Sequence, residues 1–93
     1  MPALKKLSRD EIRRRREELH QKVEAGKLRL PEGIRQMRHA LGMTQVEFAK
    51  NFGLTRVQLV NLENGKANPT METLTKVGRP FGFSVGFVLT PRD

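Results

Sequence analysis

A mainly α fold, built on a helix-turn-helix with a basic helix before it and one β-strand after it, is what the sequence predicts. Three observations carry this. Residues 42–66, GMTQVEFAKNFGLTRVQLVNLENGK, place two short apolar stripes on either side of Gly53-Leu54. Residues 83–89 then change to period two, with Phe83, Val85, Phe87 and Leu89 alternating with Ser84, Gly86 and Val88. Charge is uneven as well: residues 1–29 hold ten basic and five acidic residues of the chain's 18 and 10. The division that follows is a basic helical arm over 1–29, a helix-turn-helix unit over 30–82 and a dimerisation strand over 83–93.

Composition narrows the function before any motif is considered. A chain of 93 residues buries a modest core, and cores of that size are often completed by oligomerisation. Cysteine is absent, so disulfides and thiolate metal sites are excluded. His20 and His39 fall on different predicted helices with no ligand cluster around them, and no metal or cofactor is expected. No apolar run approaches a membrane span, and the start MPALKKLSRD has no apolar h-region, so the expectation is a cytoplasmic protein without a signal peptide or membrane association. The net charge of +8 favours polyanionic partners. With phenylalanine as the sole aromatic type, base-stacking surfaces for single strands or RNA are poorly supplied, which leaves duplex DNA.

In chain order, Ser8 and Glu11 have capping-box spacing, Leu7 and Ile12 suit a hydrophobic staple, and a helix over 9–24 follows. Its apolar stripe of Ile12, Leu19 and Val23 is interrupted by Arg16, which predicts light docking on the body. Arg13 to Arg16 spread charge round the helix. They either touch DNA phosphates or an acidic partner, or form a solvated face laced by ion pairs with glutamates. Gly26 ends this helix. Pro31 suits the first position of the next, in which Ile34, Met37 and Leu41 recur inward up to a stop at Gly42.

Thr44 caps the first helix of the motif, whose inward side carries Phe48, Ala49 and Phe52. Ala49 is small where two helices cross closely, and Gly53 stands where the turn needs positive φ. In the second helix Leu59 and Leu62 face inward with Thr55 on the same side. Arg56, Val57, Val60, Asn61 and Asn64 face the other way. That outer side can read base edges: a guanidinium pairs with guanine O6 and N7, an amide suits adenine, and Val57 can meet a thymine methyl. The alternative is a polar surface helix with stray valines. Asn64-Gly65 turns the chain, Asn68-Pro69-Thr70 opens a further helix with Met71, Leu74, Val77 and Phe81 inward, and Pro80 ends it near Arg79.

A lone strand needs partners for its backbone, and nothing else in the sequence reads as a second one. Antiparallel pairing of Phe83, Val85, Phe87 and Leu89 with a second copy satisfies it and gives a homodimer; an extended tail lying on its own subunit is the other solution. No nucleophile with a base, phosphate loop or facing carboxylate pair is present, so an enzyme is not expected. The apolar face of the first helix is also too sparse for an interfacial membrane helix.

The stretches TQVEFAKNFG and LTRVQLVNLENGK resemble the Xre/Cro-type repressors, over about residues 31–81. The resemblance implies a lambda-repressor-like domain that binds double-stranded DNA and regulates transcription. It implies backbone contacts from Thr44, Gln45, Thr55, Gln58, Asn64 and Lys66, base reading by Arg56, Val57 and Asn61, and a structural ion pair between Arg38 and Glu63. The closing stretch PTMETLTKVGRPFGFSVGFVL is most similar to HipB-like antitoxins. That implies strand pairing between subunits, autoregulation of a toxin-antitoxin operon and a partner in a HipA-like kinase or other cognate toxin. A phage-type or stand-alone Xre-like regulator without a toxin is the other member of the family that the chain could be.

Overall fold

A computed structural model describes residues 6–90. The first five residues of the arm and the last three of the expected strand segment, 91–93, lie outside them. Five α-helices run in the order α1 Arg9–Glu24, α2 Glu32–Ala40, α3 Gln45–Phe52, α4 Arg56–Glu63 and α5 Met71–Gly78, followed by a 3-10 turn over Arg79–Phe81. The local causes are largely those in the sequence. Ser8, Thr44, Thr55 and Thr70 each sit in extended backbone at a helix start and accept a hydrogen bond from the amide three residues on. Gly53 turns the chain between α3 and α4 at φ +73°, a conformation costly for any residue with a Cβ. Gly42 is constrained twice: its φ is +64°, and a Cβ there would come within 2.8 Å of the Leu7 side chain.

The core joins Leu19 of α1, Ile34, Met37 and Ala40 of α2, Phe48, Ala49 and Phe52 of α3, and Leu59 of α4 to Val77 and Phe81. Phe48 stacks on Phe52 at 3.9 Å between ring centroids, Phe52 lies 5.9 Å from Phe81, and Phe81 lies 5.7 Å from Phe83. Four of the five phenylalanines thus form one series from the motif to the tail. This rigid body is what holds α3 and α4 at a fixed crossing.

Several expectations need correction. Residues 83–90 form no strand within the chain, because ladder hydrogen bonds require a second strand and none of the described residues supplies one. Burial does not alternate along the segment either: Phe83 is partly buried, whereas Phe87 and Leu89 are fully exposed. Met71 faces solvent rather than the core, since it occupies the first position of α5, beyond the edge of the packed body. At Ser8 only half of the capping box forms, as the Glu11 carboxylate accepts from Arg14 and Arg15 instead of the cap amide. Pro31 stands just before α2 rather than inside its first turn. Finally, α1 docks more firmly than its broken stripe suggests: Leu19 is buried, and Arg16 donates to the Pro80 carbonyl at 3.0 Å with its guanidinium over the Phe81 ring. An arginine takes the place of an apolar residue by stacking its planar head on an aromatic face.

Candidate nucleic-acid interface

The site begins with two helix starts built alike. At α3 the Thr44 hydroxyl accepts from the Glu47 amide at 3.2 Å, and the Glu47 carboxylate accepts from the Thr44 amide at 2.9 Å. At α4 the Thr55 hydroxyl accepts from the Gln58 amide at 3.1 Å, and Gln58 Oε1 accepts from the Thr55 amide at 2.8 Å. Each capping box fixes its helix start and leaves donors over. Gln58 spends its carbonyl oxygen on the cap, so its Nε2 amide is free to donate outward. The hydrogen bonds from the Thr44 backbone and hydroxyl hold the Glu47 carboxyl below the usual carboxylate range, so it is ionised beside the α3 start.

The helix α4 has two unlike sides. Leu59 is fully buried against the core, whereas Arg56 is exposed and Val57 is 67 % exposed. Val60 and Asn61 are half-buried at the edge. Beyond α4, Asn64, Gly65 and Lys66 are exposed, and the Lys66 amide returns to the Asn61 carbonyl at 2.9 Å, which folds the loop against the end of the helix.

Behind this face lies a buried carboxylate. Arg38 donates through Nε to Glu63 Oε2 at 2.7 Å and through Nη2 to Oε1 at 3.0 Å, with its third nitrogen on the Met43 carbonyl at 3.0 Å. Gln45 Nε2 reaches the same Oε1 at 3.3 Å, and Arg35 approaches it at 3.5 Å. Burial alone would raise the Glu63 carboxyl, but hydrogen bonds from Arg38, Gln45 and Arg35, with the Arg38 charge, hold it below the ordinary range. Glu63 is therefore ionised, and it ties α2, α3 and the end of α4 together. Desolvation, then the Arg38 charge, lowers the His39 imidazole, so near neutral pH His39 adds no charge to this region.

The result is a cleft of about 560 Å³ that brings Arg38, Thr44, Gln45, Arg56 and Glu63 together with Arg35 and His39. Thr55, Val57, Gln58, Asn61, Asn64 and Lys66 lie outside its lining. Arg38 is spent on Glu63 and the Met43 carbonyl, so Arg35 and Arg56 are the guanidiniums with donors left for an anion there. Sequence reading missed Arg35. Its only signal was position, one helical turn before Arg38 on α2, where a polar residue otherwise reads as ordinary surface.

Two short helices crossed at a glycine turn, one with an exposed mixed face over a buried partner face, define a helix-turn-helix unit. The helix-turn-helix family matches residues 34–88, more than half of the chain, and the protein belongs to that family in its Xre-type form. An uncharacterized HTH-type transcriptional regulator of Archaeoglobus fulgidus is 46% identical over 48 residues, which cover 52% of this chain and 69% of that one. A second regulator from the same organism is 38% identical over 52 residues, 56% of this chain and 73% of its own. One from Methanothermobacter thermautotrophicus is 37% identical over 49 residues, covering 53% and 71%. No solved structure matches the chain at a significant level.

Proposed function

We propose that the protein is a transcriptional repressor that binds double-stranded DNA in a sequence-specific manner, as a homodimer on a near-palindromic operator. The outer face of α4 carries this reading: a core-forming helix leaves Val57 67 % exposed beside an exposed Arg56, with Leu59 buried behind them. A single exposed valine is ordinary on a protein surface, but beside an exposed guanidinium that has no partner among the described residues it suits a major groove, where the two can meet a thymine methyl and a guanine edge. In this reading α4 enters the groove. Arg56, Val57 and Asn61 read base edges, while Thr44, Gln45, Thr55, Gln58, Asn64 and Lys66 hold phosphates and set register. The relatives' description as transcriptional regulators agrees with it.

The homodimer is supported by the tail. Phe87 and Leu89 are fully exposed, and among the described residues the backbone from 84 to 88 makes no hydrogen bond within the chain. Pairing Phe83, Val85, Phe87 and Leu89 with a second copy satisfies both the apolar groups and the backbone, and holds two α4 helices for half-sites about 34–36 Å apart. The similarity of the closing stretch to HipB-like antitoxins supports the finer assignment, an antitoxin that represses its own operon and holds a HipA-like kinase or other toxin.

Selection of binding sites from random duplexes tests the reading. A two-fold symmetric consensus is expected, with loss of symmetry when Phe87→Asp makes the protein monomeric in sedimentation. An enriched site without symmetry for a protein that sediments as a monomer refutes the dimer, and no enrichment refutes sequence-specific binding. Co-purification of a kinase encoded by the adjacent gene is the outcome the antitoxin assignment requires; a stand-alone regulator yields none.

A further inference from the structure

We infer that Arg35, outside both helices of the motif, forms with Asn64 a two-residue clamp for one backbone phosphate; the inference rests on the DNA-binding reading above. Arg35 lies on α2 with about half of its side chain exposed, at the mouth of the cleft. The buried Glu63 does not need it. Arg38 already neutralises that carboxylate through two bonds at 2.7 and 3.0 Å, whereas the Arg35 Nε contact is 3.5 Å, at the limit for a hydrogen bond. Its Nη2 makes an equally long contact of 3.5 Å with Asn64 Oδ1, and Nη1 has no partner among the described residues.

Two consequences follow from this geometry. Arg35 carries a positive charge that the protein leaves mostly unused, in a cleft where Arg35 and Arg56 stand beside a Glu63 carboxylate that Arg38 already neutralises. Arg35 also orients its neighbour: an Asn64 side chain with Oδ1 on the guanidinium turns its Nδ2 donors away, toward solvent. A phosphate oxygen placed between Nη1 of Arg35 and Nδ2 of Asn64 receives donors from both, one of them charged. The clamp joins α2 to the loop after α4, and so locks the height of α4 over the duplex without touching a base.

The test uses the full chain on its selected duplex and on several single-base variants, each titrated with salt. Wild-type binding establishes the reading on which the clamp rests. Arg35→Gln is expected to weaken binding roughly tenfold, to make the salt slope shallower by about 0.9 per subunit, and to leave the ranking of duplexes unchanged. Asn64→Ala should weaken binding without altering the slope, and add little to Arg35→Gln. Arg35→Lys keeps the charge and should keep the slope. A wild-type slope in Arg35→Gln, a changed base ranking, or an Arg35→Lys slope as shallow as that of Arg35→Gln would overturn the clamp. Failure of the wild-type chain to bind any duplex would instead overturn the function reading, and the clamp with it. Equal melting temperatures across the set exclude a loss through unfolding, and Arg35→Lys supplies the comparison should Arg35→Gln melt early.

Discussion

Arg14, Arg15 and Arg16 of α1 and the basic residues Arg35, Arg56 and Lys66 around α4 carry the same charge in opposite circumstances. On α1, Arg14 donates to Glu11 and Glu18, Arg15 to Glu11 and the His39 carbonyl, and Arg16 to the Pro80 carbonyl while covering Phe81, whereas Arg9 and Arg13 are exposed and form no hydrogen bond or ion pair among the described residues. Around α4, Arg56 and Lys66 are exposed and form no ion pair among the described residues, and Arg35 is held only by long contacts. Arg14, Arg15 and Arg16 are therefore engaged, whereas Arg56 and Lys66, like Arg9 and Arg13 of the arm, keep their donors available. A guanidinium already bonded to carboxylates has little left for a phosphate, because docking would exchange one set of charged hydrogen bonds for another. What marks a polyanion site is unspent donors, and a count of basic residues does not measure that.

The largest effect is expected where a guanidinium is most completely bound. Glu63→Ala strands Arg38 in the core and should cost about 3–5 kcal/mol, read as a lowered denaturation midpoint. The same pair sets a pH dependence. Because the folded carboxyl of Glu63 lies below its unfolded value, its contribution is complete above the ordinary carboxylate range and is lost as pH falls through the lowered folded value. The midpoint of the wild type should therefore drop in acid below that range, and that of Glu63→Gln should drop less. At the free end of the comparison, Arg56→Ala should relax choice at one base position by about 1–3 kcal/mol, seen in competition between duplexes, and leave the denaturation midpoint unchanged.

Arg16→Ala is expected to act in the reverse sense. It should lower the midpoint by about 0.5–1 kcal/mol through the lost stacking on Phe81, with no change in base preference. The smallest effect concerns Glu47, whose carboxylate is ionised at the α3 start where a phosphate is expected. Glu47→Gln retains a side chain able to cap Thr44 and removes the like charge, so affinity for all duplexes should rise slightly, in a fluorescence titration at low salt. A fall would place the phosphate elsewhere.

The features legible in the sequence are those with local causes. Thr44, Gly53 and Thr55 act within a few residues, and the burial of Phe48, Phe52, Leu59 and Leu62 follows from helical period. The partnership of Arg38 with Glu63 spans 25 residues and was accessible only through resemblance, since spacing alone cannot couple two helices that distant. Arg35 was not legible, because its role depends on what Arg38 has already satisfied. The docking of α1 was misjudged for a related reason: Arg16 breaks an apolar stripe on paper and completes it in space against Phe81. The tail escaped for a different one. Alternation describes a strand in outline, but strand structure is a property of a pair: among the described residues, 83–90 meet no second strand, and their backbone hydrogen bonds within the chain are the Phe83 amide on the Gly78 carbonyl and the Arg29 guanidinium on the Leu89 carbonyl at 2.8 Å.

Paired salt titrations on one selected duplex decide most directly between the count of charges and their availability. Lys66→Ala is compared with the double variant Arg14→Gln, Arg15→Gln, which removes more charge from the arm. The account predicts a slope shallower by about one per subunit for Lys66→Ala and a line parallel to wild type for the α1 variant. A wild-type slope for Lys66→Ala with a shallower one for the α1 variant would contradict it and move the phosphate path onto the arm.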